Sequence, residues 1–294
     1  MQPLIPYFTD PYFTIPFVGM EIHAFGILVA LGFVFGGNVA QTQAVRFGGS
    51  PDGINRLIGW LVFGVFVGGH WGHLLMYEPG TMTGDLERFS RFFTEIAHFR
   101  VPHGDDVPVL FQFWHGLSSF GGFFVCIVLT VWFFRKEKLP FWPNADAIAY
   151  GLTLGWFFGR MGCFSAHDHA GTPTNFYLGV YGMCPGNNPT VACHDLGLYE
   201  AIWSASAFGL FTWLNRLRRP TGFYTGMLAT LYGPCRFASD FFRPIETDTR
   251  YAGLTPAQYG SIVLTVVGLW ILRTRVWTAQ ASEPNPSPRA NGNA

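Results

Sequence analysis

Long apolar runs separated by short polar connections dominate the chain. Four runs are continuous, at residues 22–40, 114–134, 147–164 and 196–214. Three are weaker: 57–76 is interrupted by His70 and His73, 222–235 is short, and 257–272 is rich in small residues. A membrane-spanning helix needs ~20 mostly apolar residues. The pattern therefore predicts an all-α, polytopic membrane protein with about seven transmembrane helices. The short sixth run would need neighbouring protein or a water-filled cavity to satisfy its irregular ends. Gly64, Gly68, Gly69, Gly121, Gly122, Gly151, Gly155 and Gly159 fall inside runs, where small residues let helices approach closely.

Composition agrees with this reading. Only 12% of the 294 residues are charged, against ~25% in an ordinary soluble domain, while 49% are apolar and 18% aromatic. That excludes a disordered chain, a basic nucleic-acid binder and a charge-rich soluble enzyme, so no nucleic-acid partner is expected. Orientation follows from the bias of Lys and Arg toward cytoplasmic loops. Assigning the connections to alternate sides puts eleven cationic residues, from Arg46 to Arg289, on one side and six, from Arg88 to Arg250, on the other. The N-terminus is thus expected outside and the C-terminus in the cytoplasm. Residues 1–278 are expected to form one integral membrane domain, and 279–294, with repeated Pro and polar residues, a disordered cytoplasmic tail. The first 21 residues lack Lys and Arg, so they do not resemble a cleavable signal peptide. Their prolines suggest an irregular external lead-in. Cys184 and Cys193 share the external 165–195 segment, where an oxidising compartment would let them pair; two unpaired small residues are the alternative.

Several polar groups stand out against the apolar background. Arg160 lies near the external end of the fourth run, and an ionisable residue at membrane depth is a functional hypothesis by default. Arg does not lose its charge, so it needs an anion: a carboxylate such as Asp168 or Glu200, or a lipid phosphate. Snorkelling to the interface is the purely structural alternative. Gly159 and Gly162 flank it and would let backbone or a ligand come close. In a helix, Arg236, Asp240 and Arg243 would share one face by their i, i+4, i+7 spacing. Planar guanidinium groups suit phosphate oxygens. An interfacial salt-bridge cluster would look the same in sequence. His70, His73, His115, His167, His169 and His194 all fall near the external face, where a neutral imidazole can serve as a base. His167 and His169 stand at i, i+2, which is not a diagnostic ligand spacing, and neither a metal nor another cofactor is expected.

These motifs resemble those of the phosphatidylglycerol–prolipoprotein diacylglyceryl transferase family. Gly159-Arg-Met-Gly-Cys-Phe-Ser-Ala-His-Asp-His-Ala-Gly171 is similar to the family pattern G-R-I-G-N-F-x-N-x-E-x-x-G. Tyr232-Gly-Pro-Cys-Arg-Phe-Ala-Ser-Asp-Phe-Phe-Arg243 is similar to Y-G-x-x-R-F-x-x-E-F-x-R. Leu254-Thr-Pro-Ala-Gln258, Gly197-Leu-Tyr-Glu-Ala201 and Leu117-Ser-Ser-Phe-Gly-Gly122 resemble three further family elements, in the family's order. The departures are specific. The family's two Asn are Cys163 and Ala166, and its Glu is Asp168. Its His before the double Gly is Phe120, its first-span Tyr is Phe25, and the Arg of its G-A-R-x-G is His70.

The resemblance implies a multi-pass enzyme of the bacterial inner membrane. It would move the diacylglyceryl group of phosphatidylglycerol to the lipobox cysteine thiol of a preprolipoprotein, docking the signal peptide and membrane lipid. Arg160 and Arg236 are expected to hold the phosphate, with Arg243 in support. Asp168, Glu200 and Asp240 would orient the arginines. Cys163, Tyr232, Gly121 and Gly122 are the other expected contacts to the lipid. With Phe120 in the His position, the base could be His115, His167, His169 or His194. A paralogue with altered acceptor, or one that only binds lipid head groups or metal, is the alternative reading. A transporter is disfavoured, since no inverted repeat is visible.

Overall fold

The computed structural model describes residues 3–14, 16, 21–76, 79–82, 84–98, 107–112, 116, 118–184, 186, 188–245 and 250–277. His115 and the 279–294 tail lie outside the described residues. The chain is mostly helical, with α1 (Ala24–Phe47), α2 (Pro51–Met76), α3 (Asp85–Ala97), α4 (Ser119–Lys136), α5 (Phe141–Ala166), α6 (Leu196–Leu214), α7 (Phe223–Ser239) and α8 (Pro256–Ile271). Each of the seven apolar runs falls on one helix, α3 being the addition. Among the described residues, three helical stretches, Ala24–Phe47, Pro51–Leu75 and Pro256–Trp277, are long and apolar enough to cross a membrane.

The all-α expectation omits two small sheets. β1 (Tyr12–Thr14) pairs antiparallel with β2 (Glu21–His23) just before α1. β3 (Ala170–Pro173), β4 (Val180–Tyr181) and β5 (Ala192–Asp195) form a second sheet with β5 in the middle. Cys184 and Cys193 are joined in a disulfide with Cα atoms 5.4 Å apart, and both are buried. The N-terminal segment docks here as well: Ile5 bridges Val180, and Tyr181 N–H donates to Ile5 O at 3.1 Å. The proline-rich lead-in is therefore tied down by backbone pairing.

The chain divides into two compact units, Met1–Ile54 with Trp142–Ala294, and Asn55–Phe141. In the first unit, α1 and α5 cross through glycine. A Cβ added at Gly32 would lie 2.7 Å from Gly155 O, and one at Gly36 would lie 2.9 Å from Gly151 O. Only a residue without a side chain permits this approach. Gly162 backs onto Phe25, whose carbonyl a Cβ would meet at 3.3 Å, whereas Gly159 has open space. Of the two glycines flanking Arg160, one serves packing and the other leaves room.

Helix starts are fixed by side chains. Asp146 on α5 accepts from Gly222 N–H at 2.6 Å and Thr225 N–H at 2.9 Å, capping α7 from a neighbouring helix. Asp195 caps α6 by accepting from Leu198 N–H at 2.9 Å. Thr255 and Gln258 form a reciprocal capping box on α8, with Pro256 at its first position.

In the second unit, a Cβ at Gly68 would lie 2.6 Å from Gly121 O, so α2 and α4 also cross through small residues. Ser118 caps α4, and its own N–H donates to Gly69 O at 2.8 Å. Asp85 accepts from Val109 N–H at 2.8 Å and Leu110 N–H at 3.2 Å, while His70 Nε2 donates to Val109 O at 2.7 Å. Gly121 and Gly122, expected at the lipid site, are seen here at the first turn of α4, where Gly121 packs on α2.

Candidate functional site

Three helices of the first unit bring an unbroken line of opposite charges together. Arg160, two turns before the end of α5, places Nε 3.0 Å from Glu200 Oε2. Glu200, on the first turns of α6, has its other oxygen 3.9 Å from Arg236 Nε on α7. Arg236 Nη1 donates to Asp240 Oδ1 at 2.7 Å, and Arg243 Nε lies 3.1 Å from the same oxygen. Glu200 is 1% exposed and Asp240 is fully buried, so the line runs through the interior.

The carboxylates are held by neutral donors. Tyr232 Oη donates to Glu200 Oε2 at 2.9 Å, and Thr255 Oγ1 donates to Asp240 Oδ2. The Trp156 ring lies under the Arg160 guanidinium, 4.6 Å from its centroid, a cation–π contact. The line thus alternates three guanidinium groups with two carboxylates. Among the described residues no protein acceptor engages Nη2 of Arg160 or of Arg236. Buried cationic groups with donors to spare form a receptor for an anion, since each guanidinium presents a rigid fork to oxygen pairs.

Sequence reasoning placed Arg236, Asp240 and Arg243 on one helical face. The helix instead ends at Ser239, and Asp240–Phe242 form a 3-10 turn. The tighter turn still brings Arg243 to Asp240. Glu200 and Asp240 lie against the arginines, whereas Asp168 does not reach Arg160 directly. Its Oδ1 accepts from His169 Nδ1 at 2.5 Å, and His169 Nε2 faces Arg160 Nη1 at 3.2 Å. A guanidinium only donates, so Nε2 is the accepting nitrogen and Nδ1 carries the proton. Cys163 Sγ lies 3.9 Å from the same Nη1.

The other histidines separate by role. His167 has a left-handed φ of 51°, and its ring nitrogens meet Asp195 Oδ2 at 3.3 Å and Phe8 O at 3.1 Å, which ties the lead-in to α6. His194 Nδ1 pairs with Tyr199 Oη at 2.7 Å, among the rings of Phe176 and Phe242. Burial pushes the His194 pKa below the ordinary value for imidazole. Two participants escaped the sequence reading as site residues. Trp156 had no signal beyond its i, i+4 position before Arg160. Thr255 was visible only as part of the Leu254–Gln258 motif, with nothing to link it to Asp240.

Comparison with known proteins bears on this arrangement. The family described as prolipoprotein diacylglyceryl transferase matches residues 12–274. A phosphatidylglycerol–prolipoprotein diacylglyceryl transferase of Solidesulfovibrio magneticus is 30% identical over 274 residues, covering 90% of this chain and 94% of the relative. Proteins of the same name from Nitratidesulfovibrio vulgaris and Chromohalobacter salexigens are each 27% identical over 260 residues. They cover 86% and 88% of this chain, and 89% and 88% of their own lengths.

Proposed function

The chain belongs to the prolipoprotein diacylglyceryl transferase family, and we propose that it transfers the diacylglyceryl group of phosphatidylglycerol to the lipobox cysteine thiol of a preprolipoprotein. The observation that carries the mechanism is the line Arg160–Glu200–Arg236–Asp240–Arg243, in which the buried guanidinium groups of Arg160 and Arg236 keep donors to spare. In this reaction the acceptor sulfur bonds to the terminal glyceryl carbon as the bond from that carbon to the phosphate oxygen breaks. The phosphodiester bears one negative charge, and the departing glycerol phosphate gathers a second. Donors fixed at that phosphate therefore stabilise the transition state more than the ground state, the condition for acceleration rather than mere binding.

Arg160 and Arg236 are the clamp, with Arg243 behind them. Glu200 and Asp240 hold the guanidinium planes so that little reorganisation accompanies the reaction. Cys163, Asp168 and His169 stand at the end of the clamp, in positions that suit service to the thiol. Tyr232 acts by fixing Glu200. Gly121 and Gly122 serve by letting α4 seat on α2. We place the protein in the bacterial inner membrane as one domain of seven spans, with the N-terminus outside. The Cys184–Cys193 disulfide supports putting the strand-rich 165–195 segment on the oxidising side. The signal peptide of the acceptor and membrane lipid are the expected macroscopic partners.

The test is transfer of labelled diacylglycerol to a lipobox peptide in vesicles of phosphatidylglycerol. Arg160→Gln and Arg236→Gln should each lower kcat at least about 100-fold, the scale of removing one preorganised donor from developing charge. Transfer at the wild-type rate by either variant rejects the clamp.

A further inference from the structure

At the end of α5, Cys163 and Asp168 stand in place of a family Asn and Glu, and with His169 they group atoms able to hold a metal ion. One donor atom each from Cys163, Asp168 and His169 lies within 4.8 Å of the others. Tetrahedral zinc, with bonds of about 2.0–2.3 Å, needs ligand atoms about 3.3–3.8 Å apart, so closing on an ion requires a contraction of about 1 Å. The backbone causes the grouping. α5 ends at Ala166, His167 takes a left-handed φ, and β3 starts at Ala170, so the chain turns back and carries His169 toward Cys163.

Thiolate with imidazole selects zinc or a similar ion over magnesium or calcium, which prefer oxygen. Access is uneven: Cys163 and His169 are half-buried, while the Asp168 side chain is 42% exposed. One side of the cluster is open. Three protein ligands with an open fourth position is the arrangement of a reactive zinc centre, whereas structural sites close with four.

We propose that Cys163, Asp168 and His169 bind a zinc ion whose fourth position takes the acceptor thiol. The identity of that fourth ligand rests on the transferase reading; the metal site does not. A dication with one thiolate and one carboxylate is locally neutral, so it leaves the Arg160–Glu200 pair intact and takes over the His169 Nε2 lone pair that Arg160 Nη1 holds in its absence. It also sits beside the clamp, because Arg160 Nη1 faces both His169 and Cys163. The acceptor thiol binds the ion and gives its proton to water, becoming a thiolate. A sulfur lone pair forms the S–C bond to the glyceryl carbon. The C–O bond breaks with its electrons passing to the phosphate oxygen in the clamp, and the neutral thioether leaves the ion. No electron acceptor or donor is needed. This supplies a thiolate in a chain whose family His position is Phe120.

The experiment reads metal before activity. Full-length protein in detergent, stripped with chelator, exposed to zinc alone and desalted, should retain it stoichiometrically by elemental analysis. Cobalt(II) alone should give a sulfur-to-metal charge-transfer band in the unsubstituted protein, a readout that needs no variant. Cys163→Ser and His169→Gln should each lose ion and band, whereas Arg160→Gln should keep both. No stoichiometric ion in the unsubstituted protein, or undiminished binding in both ligand variants, overturns the site. A free thiol of pKa ~8.5 is only a few per cent ionised at neutral pH. Chelation should therefore slow transfer about 10- to 30-fold at pH 7 and far less at pH 9, where free thiolate is abundant. Equal rates with and without metal at pH 7 overturn the role in thiol activation. Stoichiometric metal in a protein with no transfer at any pH supports the site and rejects the transferase reading.

Discussion

Glu200 illustrates how much one side chain can decide. It is the only link between Arg160 on α5 and Arg236 on α7 among the described residues, and it is buried with both. Glu200→Gln keeps the shape and removes the charge, leaving two guanidinium groups facing each other with no anion between. Breaking a buried pair costs about 3–5 kcal/mol because the remaining charge is uncompensated. Thermal unfolding in detergent should register that loss, and transfer should fall with it. Tyr232→Phe is milder. It removes one donor to Glu200 Oε2 at a cost of about 1–3 kcal/mol, so the variant should fold and transfer more slowly. His194 makes a prediction about pH. The unfolded chain takes up its proton near pH 6.5, while the folded ring, held neutral by burial, takes it up only at lower pH. Between those values the unfolded state binds more protons, so stability is full above about pH 6.5 and declines as pH falls below it. His194→Gln should flatten that part of the melting-temperature profile; an unchanged slope would show that another group is responsible.

Helix crossings set the frame at the next scale. The α1–α5 and α2–α4 pairs approach so closely that a single methyl would collide with a carbonyl oxygen. Gly32→Val should therefore push α1 from α5 and destabilise the protein by about 1–3 kcal/mol. Gly159→Ala, where a Cβ meets nothing, should melt like the parent. Comparing the two separates packing from mere helix composition. The β3–β5 sheet depends on a covalent link instead. The nine-residue separation of Cys184 and Cys193 gives a disulfide contribution of about 2–3 kcal/mol from loop closure. Removing both thiols should loosen the segment that carries His169 toward Arg160, and amide exchange across β3 and β5 would reveal it.

Across the whole molecule, cationic residues are distributed unequally between alternate connections. The orientation proposed from the cationic loops predicts that an impermeant thiol reagent labels Cys184 and Cys193 from outside intact cells only after reduction. A reporter that matures only in a reducing compartment should work when fused at the C-terminus. Much of this was legible from sequence because hydrophobic runs are local: a stretch of apolar residues must hide its backbone wherever it sits, and each run became a helix. Arg160 and Arg236 were legible too, since a charge in such a run is conspicuous by its cost. The sheets were not, because strands of two to four residues carry no usable periodicity and are held by a disulfide and by docking of the N-terminal segment. Asp168 was assigned to the arginine, but the positive φ at His167 redirected the chain and put His169 between them.

The sequence by itself determined the helical membrane class, the sparse charges worth attention and the family that shares their order. Only the tertiary structure decided which charges meet. Arg160, Glu200 and Arg236 come from three different helices, and no local rule relates them. Their partnership follows from the close approach of Gly197 on α6 to Cys163 on α5 and from Asp146 of α5 capping α7. The Cys163–Asp168–His169 grouping arises in the same way, since i, i+5 and i+6 converge only where a helix ends and the backbone turns left-handed.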